Sequence, residues 1–186
     1  MRRWIGLAVA ALLIGAGVWW SMAADQRRDG GGAAGEPVVL MEREPPEGWR
    51  WREERLPEDG FFGLLRGKED WEAFASAHPQ AAGRLAEPDW RREALVVAYL
   101  GTAPTGGYAV RIERVLRQPE TLRVDLALRS PAPGEFVTLA MTHPIDSVSV
   151  PKGELPPAAL ASPAATRFFA PGGLNWEGAF PGRETE

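Results

Sequence analysis

Residues Ala94 to Leu100 form an unbroken apolar run, Ala-Leu-Val-Val-Ala-Tyr-Leu, of strand length. Such a run reads as a strand buried on both faces, and any fold that contains it has to cover both sides of that strand. The run enters Gly101-Thr102-Ala103-Pro104-Thr105-Gly106-Gly107-Tyr108, after which Tyr108, Val110 and Ile112 alternate with Ala109, Arg111 and Glu113 in a period of two. Two strands are therefore expected to meet through a tight connection. Pro104 fixes its own φ and offers no amide, whereas Gly106 and Gly107 can reach φ > 0 and leave their amides open to a visiting group. An ordinary hairpin loop is the alternative reading.

The remaining pattern is strand-rich. Pro37 to Met41, Trp49 to Arg55 and Phe61 to Leu65 read as short strands, the second with Trp49 and Trp51 on one face and Arg50 and Arg52 on the other. Lys68 to His78 reads as an amphipathic helix with Trp71, Phe74 and Ala75 on its apolar stripe and Pro79 as its stop. Leu122, Val124, Leu126 and Leu128 alternate with polar residues after a Gln118-to-Thr121 turn. Ser130 to Gly134 is a further turn, Phe136 to Thr142 a further strand, and Asp146 to Val150 the last one. The expected fold class is α+β, mainly an antiparallel sheet in a meander, with one principal amphipathic helix.

At the amino terminus Arg2 and Arg3 precede the uncharged stretch Trp4 to Ala24, so residues 1–24 are a signal peptide or a membrane anchor. Ser21-Met22-Ala23 would suit cleavage, while the apolar length suits a span. Under either outcome the rest of the chain is extracytoplasmic. Residues 25–35 are a Gly-rich flexible linker, residues 36–155 a single α+β domain, and residues 156–186 a Pro/Ala/Gly-rich tail expected to be disordered. The tail's Phe168, Phe169, Trp176 and Phe180 could instead dock on the domain or on a partner.

Composition narrows the function. The 186 residues are 45% hydrophobic and include eight Trp, enough for one sizeable core. The net charge of -4 and the interspersion of Arg with Glu (Arg50, Arg52, Glu53, Glu54, Arg55) argue against nucleic acid as a partner. Zero cysteines exclude disulfides, thiolate catalysis, cysteine-based metal sites and lipid attachment through cysteine. The chain's two histidines, His78 and His143, fall at a helix end and in a turn before Pro144, with no companion at metal-ligand spacing. No catalytic residue, metal ligand or cofactor is expected. The glycine loop lacks the Lys-Ser/Thr pair and the following helix of a phosphate loop, so a carbonyl or carboxylate of a peptide suits it better.

In order along the chain stand Asp70-Trp71, the apolar run Leu95 to Gly101, Pro104-Thr105-Gly106-Gly107-Tyr108, Pro131-Ala132-Pro133-Gly134 and Thr142-His143-Pro144. This set, over about residues 60 to 152, resembles the PrcB C-terminal domain family, known from an accessory subunit of a bacterial surface protease complex. The resemblance implies a non-catalytic exported module that assembles or stabilises such a complex. The family's founding subunit is lipid-anchored through a cysteine that this chain lacks, so attachment here would rest on residues 4–24. A protein-binding loop is therefore expected at Pro104, Thr105, Gly106, Gly107 and Tyr108, where glycines admit a partner's backbone and Tyr108 offers a ring and a hydroxyl. Thr142, His143 and Pro144 are a secondary candidate. The expected partner is another exported protein, a protease by that resemblance. A protease inhibitor using the same loop and a small-ligand or cell-wall binding module are the rival readings.

Overall fold

The structure is a computed structural model that describes residues 36–53 and 55–177. Residues Gly35–Glu186 form a compact unit of their own. Among the described residues no helix is long and apolar enough to cross a membrane, and the Trp4–Ala24 stretch lies outside them.

The strands are β1 (Val38–Glu42), β2 (Phe61–Leu65), β3 (Glu93–Tyr99), β4 (Ala109–Arg117), β5 (Leu122–Arg129), β6 (Ile145–Pro151), β7 (Thr166–Phe169) and β8 (Asn175–Glu177). The helices are α1 (Lys68–Ala77), the single turn α2 (Pro79–Ala82) and the short α3 (Pro157–Ala161). The α+β class, mainly sheet, holds, but the meander does not. Strands order as β1-β4-β5-β7-β8 in one sheet and β2-β3-β6 in the other.

The reason lies in β3. Ala94, Val96, Ala98 and Leu100 face one core, shared with Val110, Ile112, Leu122, Val124, Leu126 and Leu128 of the larger sheet. Leu95, Val97 and Tyr99 face a second core, against Trp71 and Phe74 of α1. A strand apolar on both sides needs a layer on each. The chain meets that need by leaving the small sheet after β3, so that β4 packs across β3 and pairs instead with β1 and β5. The glycine loop is thus a crossover between sheets, where a hairpin was the sequence-based alternative.

Helix α1 follows its predicted span closely. Asp70 in its first turn takes the amide and guanidinium of Arg66, at 2.8 and 2.9 Å, and Pro79 begins the next turn. A register shift between Ile112 and Arg114 reverses the phase of β4. Val115 thereby turns inward, fully buried, and Arg114 outward onto the nearly buried Asp125 at 2.7 Å.

Three expectations are corrected. The described residues of Trp49 to Arg55 form no strand. Prolines 45, 46 and 57 flank them, and Ser130 replaces a ladder, with its amide donating to the Arg50 carbonyl (3.0 Å) and its hydroxyl accepting from the Arg52 amide (2.9 Å). Phe136 to Thr142 is a loop whose one strand-like pairing is the bridge between Ala103 and Thr142. Of the tail expected to be disordered, residues 156–177 instead continue the fold, and the rest lies outside the described residues. Thr166 and Phe168 point inward with Arg167 outward, a period of two, and β7 pairs in parallel with β5. Phe168 is 0% exposed in the main core, edge-to-face with Phe62 at 6.4 Å, so its burial offsets the entropy of ordering the segment.

Candidate functional site

The glycine loop starts where β3 ends. The Leu100 amide donates to the Pro144 carbonyl at 2.9 Å, and Gly101 adopts φ +88, where a Cβ would also lie 2.3 Å from a carboxylate oxygen of Asp59. Asp59 holds the next amide, Thr102, at 2.8 Å. Ala103 then exchanges both backbone bonds with Thr142, at 2.8 and 2.9 Å, and the Thr142 hydroxyl donates to the Thr105 carbonyl at 3.0 Å. The two candidate segments, Pro104–Tyr108 and Thr142–Pro144, are therefore one structure, zipped together by a two-residue bridge.

The glycines do other work than expected. The Gly106 amide donates to the Thr138 carbonyl at 2.9 Å, and a Cβ on Gly106 would stand 2.3 Å from the Thr138 hydroxyl. Gly107, at φ +90, would carry a Cβ 2.8 Å from Val137 and 3.2 Å from Pro131. Their close approach serves the chain's own β5–β6 connection, residues 130–144. Arg129 braces the same contact, donating to the Gly107 carbonyl and pairing with Glu135. The Ala132 amide, then Arg129, hold the Glu135 carboxyl below its ordinary range.

That connection is where the exposed apolar surface gathers. Phe136, Leu139 and Met141 are 104%, 91% and 73% exposed. They lie in Phe136-Val137-Thr138-Leu139-Ala140-Met141-Thr142-His143-Pro144, a run without a charge in a chain that is 25% charged. The strand reading concealed these residues, because alternation in a sheet would have buried one set. The missing charges were the signal that could have found them.

On the other flank of the loop, Tyr108 donates its hydroxyl to Glu53 at 3.2 Å and meets Trp51 edge-on at 6.3 Å. Burial, then the Glu53 carboxylate, push the Tyr108 hydroxyl above its ordinary value, which keeps it a donor. Trp51, Pro57, Pro104 and Tyr108 wall a cleft of about 300 Å³ with Glu53 and Arg55 at its rim.

Both histidines converge on Tyr99. The Tyr99 hydroxyl and His143 Nδ1 lie 3.2 Å apart, His78 packs on the Tyr99 ring at 5.2 Å, and the His143 carbonyl accepts from Arg84 at 2.6 Å. Burial lowers the His78 pKa. His143 thus fastens the end of the loop to β3. Among the described residues no group of three His, Cys, Asp or Glu side chains is placed to hold a metal ion.

The domain is thus a two-sheet α+β fold that pins an uncharged, apolar loop in water. Residues 94–151, from β3 to the end of β6, match the model of the family described as PrcB C-terminal, and over that segment the resemblance read from the sequence holds. The matched segment contains both loops of the site. Neither a curated protein nor a solved structure gives a match.

Proposed function

We propose that this protein is a non-catalytic extracytoplasmic interaction module that assembles or stabilises a protease complex, and that the β5–β6 loop, seated on the glycine loop, is its contact surface. The supporting observation is the exposure of Phe136, Leu139 and Met141 on a loop that is nonetheless fixed. Leaving such side chains in water forgoes roughly 1.5–3 kcal/mol each, a gain that a partner covering them would recover. The fixation lowers the ordering cost of binding. The uncharged run suits an apolar partner surface, and the family resemblance supplies the class of partner. Export rests on Arg2, Arg3 and the Trp4–Ala24 stretch, which either remains as an anchor or is removed near Ala23.

Crosslinking in the native membrane fraction, followed by identification of what co-purifies, tests this reading. Recovery of an exported peptidase is expected. Repeated recovery of the protein without one would refute the complex-stabilising role. Dose-dependent loss of that peptidase's activity on adding the purified domain would favour the inhibitor reading instead.

A further inference from the structure

We infer that the cleft beside Tyr108 receives the carboxy-terminal segment of a second copy of this chain, with Phe180 and Pro181 in the cleft and Arg183 and Glu184 at its rim. This goes beyond the proposed function and does not rest on it, since it uses the opposite flank of the glycine loop from Phe136, Leu139 and Met141.

The cleft's chemistry defines what fits. Its walls include two aromatic rings set edge-to-face and two proline rings beside Leu56, Thr102 and Ala103, and its volume of about 300 Å³ suits one or two apolar side chains better than a cofactor. Aromatic grooves of this kind take extended, proline-bearing segments, whose restricted backbone has little entropy to lose. The rim carries one charge of each sign. Glu53 accepts the Tyr108 hydroxyl through one oxygen and has the other available, and Arg55 is exposed and forms no ion pair among the described residues. An occupant should therefore bring apolar side chains with a proline, together with one base and one acid. Phe180-Pro181-Gly182-Arg183-Glu184 has that composition, with Arg183 complementary to Glu53 and Glu184 to Arg55.

The donor has to be another molecule. Glu177 pairs with Arg167, Arg167 with Arg123 and Arg123 with Leu116, so these residues share one level of the sheet. Tyr108 lies just beyond the pair Ala109–Arg129, six residues further along β5 from Arg123. That separation is about 20 Å along the strands and about 14 Å across three strand spacings. Phe180 is three residues past Glu177 and reaches about 10 Å at most. Reciprocal exchange between two copies closes as a symmetric dimer.

Sedimentation equilibrium on residues 25–186, which include the whole compact unit, tests the inference. A reversible dimer is expected at micromolar concentration. Phe180→Ser with Pro181→Ser should raise its dissociation constant at least about tenfold while thermal unfolding stays cooperative. Arg183→Glu should weaken the dimer and Glu53→Lys in the same chain should restore it. A monomer throughout the range overturns the inference. So does a dimer indifferent to the tail substitutions, and if Leu139→Ser then dissolves it, the self-contact lies on the apolar loop.

Discussion

Phe168 carries the claim that residues 156–177 belong to the fold. Truncating it to Ala removes a ring that is 0% exposed and packed edge-to-face on Phe62, across the space between the sheets. Phe→Ala in a core costs about 3–5 kcal/mol, and losing the aromatic pair places this site in the upper half of that range, about 4 kcal/mol. For a domain of this size 1 kcal/mol moves the melting midpoint by about 3 °C, so a fall of about 12 °C is expected. Urea unfolding followed by tryptophan emission measures the free energy directly, with the slope of the transition unchanged. A side chain in a detached tail would change stability by no more than about 0.5 kcal/mol. A loss that small would refute the parallel β5–β7 pairing and the core drawn around it.

Further outcomes follow from the same contacts. Asp146 accepts from Arg43 (2.7 Å) and the Ile112 amide (2.8 Å), tying β6 to the neighbouring sheet, so Asp146→Ala should cost about 1–3 kcal/mol in a denaturant titration. Gly107→Ala drives a methyl into Val137 at a positive φ and should destabilise by about 1–3 kcal/mol, with faster amide exchange across residues 130–144. Because burial lowers the His78 pKa, the folded state favours its neutral form. That contribution is fully present above about pH 6.5 and is lost as pH falls through the lower folded value, so stability should drop on acidification and His78→Gln should flatten the drop. The Glu135 carboxyl is shifted down, so its hold on the Ala132 amide should persist above the ordinary carboxylate range and fail only in stronger acid, as read by exchange of that amide.

The elements legible in the sequence were those whose pattern had one solution. The apolar Ala94–Leu100 run, the Trp71/Phe74 stripe and the Leu122–Leu128 alternation each map onto a strand or helix within a residue or two. Partners were less legible, because pairing is decided across the fold: the same alternation serves a meander or a two-sheet stack, and only the need to cover both faces of β3 selects the latter. Trp49 to Arg55 has strand-like alternation, yet the prolines around it and the side chain of Ser130 supply other hydrogen bonds. In the tail, Ala, Pro and Gly outweigh a four-residue strand signal, and the space waiting for Phe168 is a property of β5 and β2. At the site, the sequence singled out both Pro104–Tyr108 and Thr142–Pro144 but not the bridge that joins them. It assigned Gly106 and Gly107 to a visitor when Thr138 and Val137 occupy that space.

The account turns on the apolar loop as the surface that a partner covers. A photo-crosslinking residue placed at Leu139, compared with one at the exposed Lys68 on α1, tests this in native membranes. Capture of an exported peptidase from position 139 and not from position 68 is the predicted result. Equal capture from both positions, or capture from Lys68 alone, would contradict it.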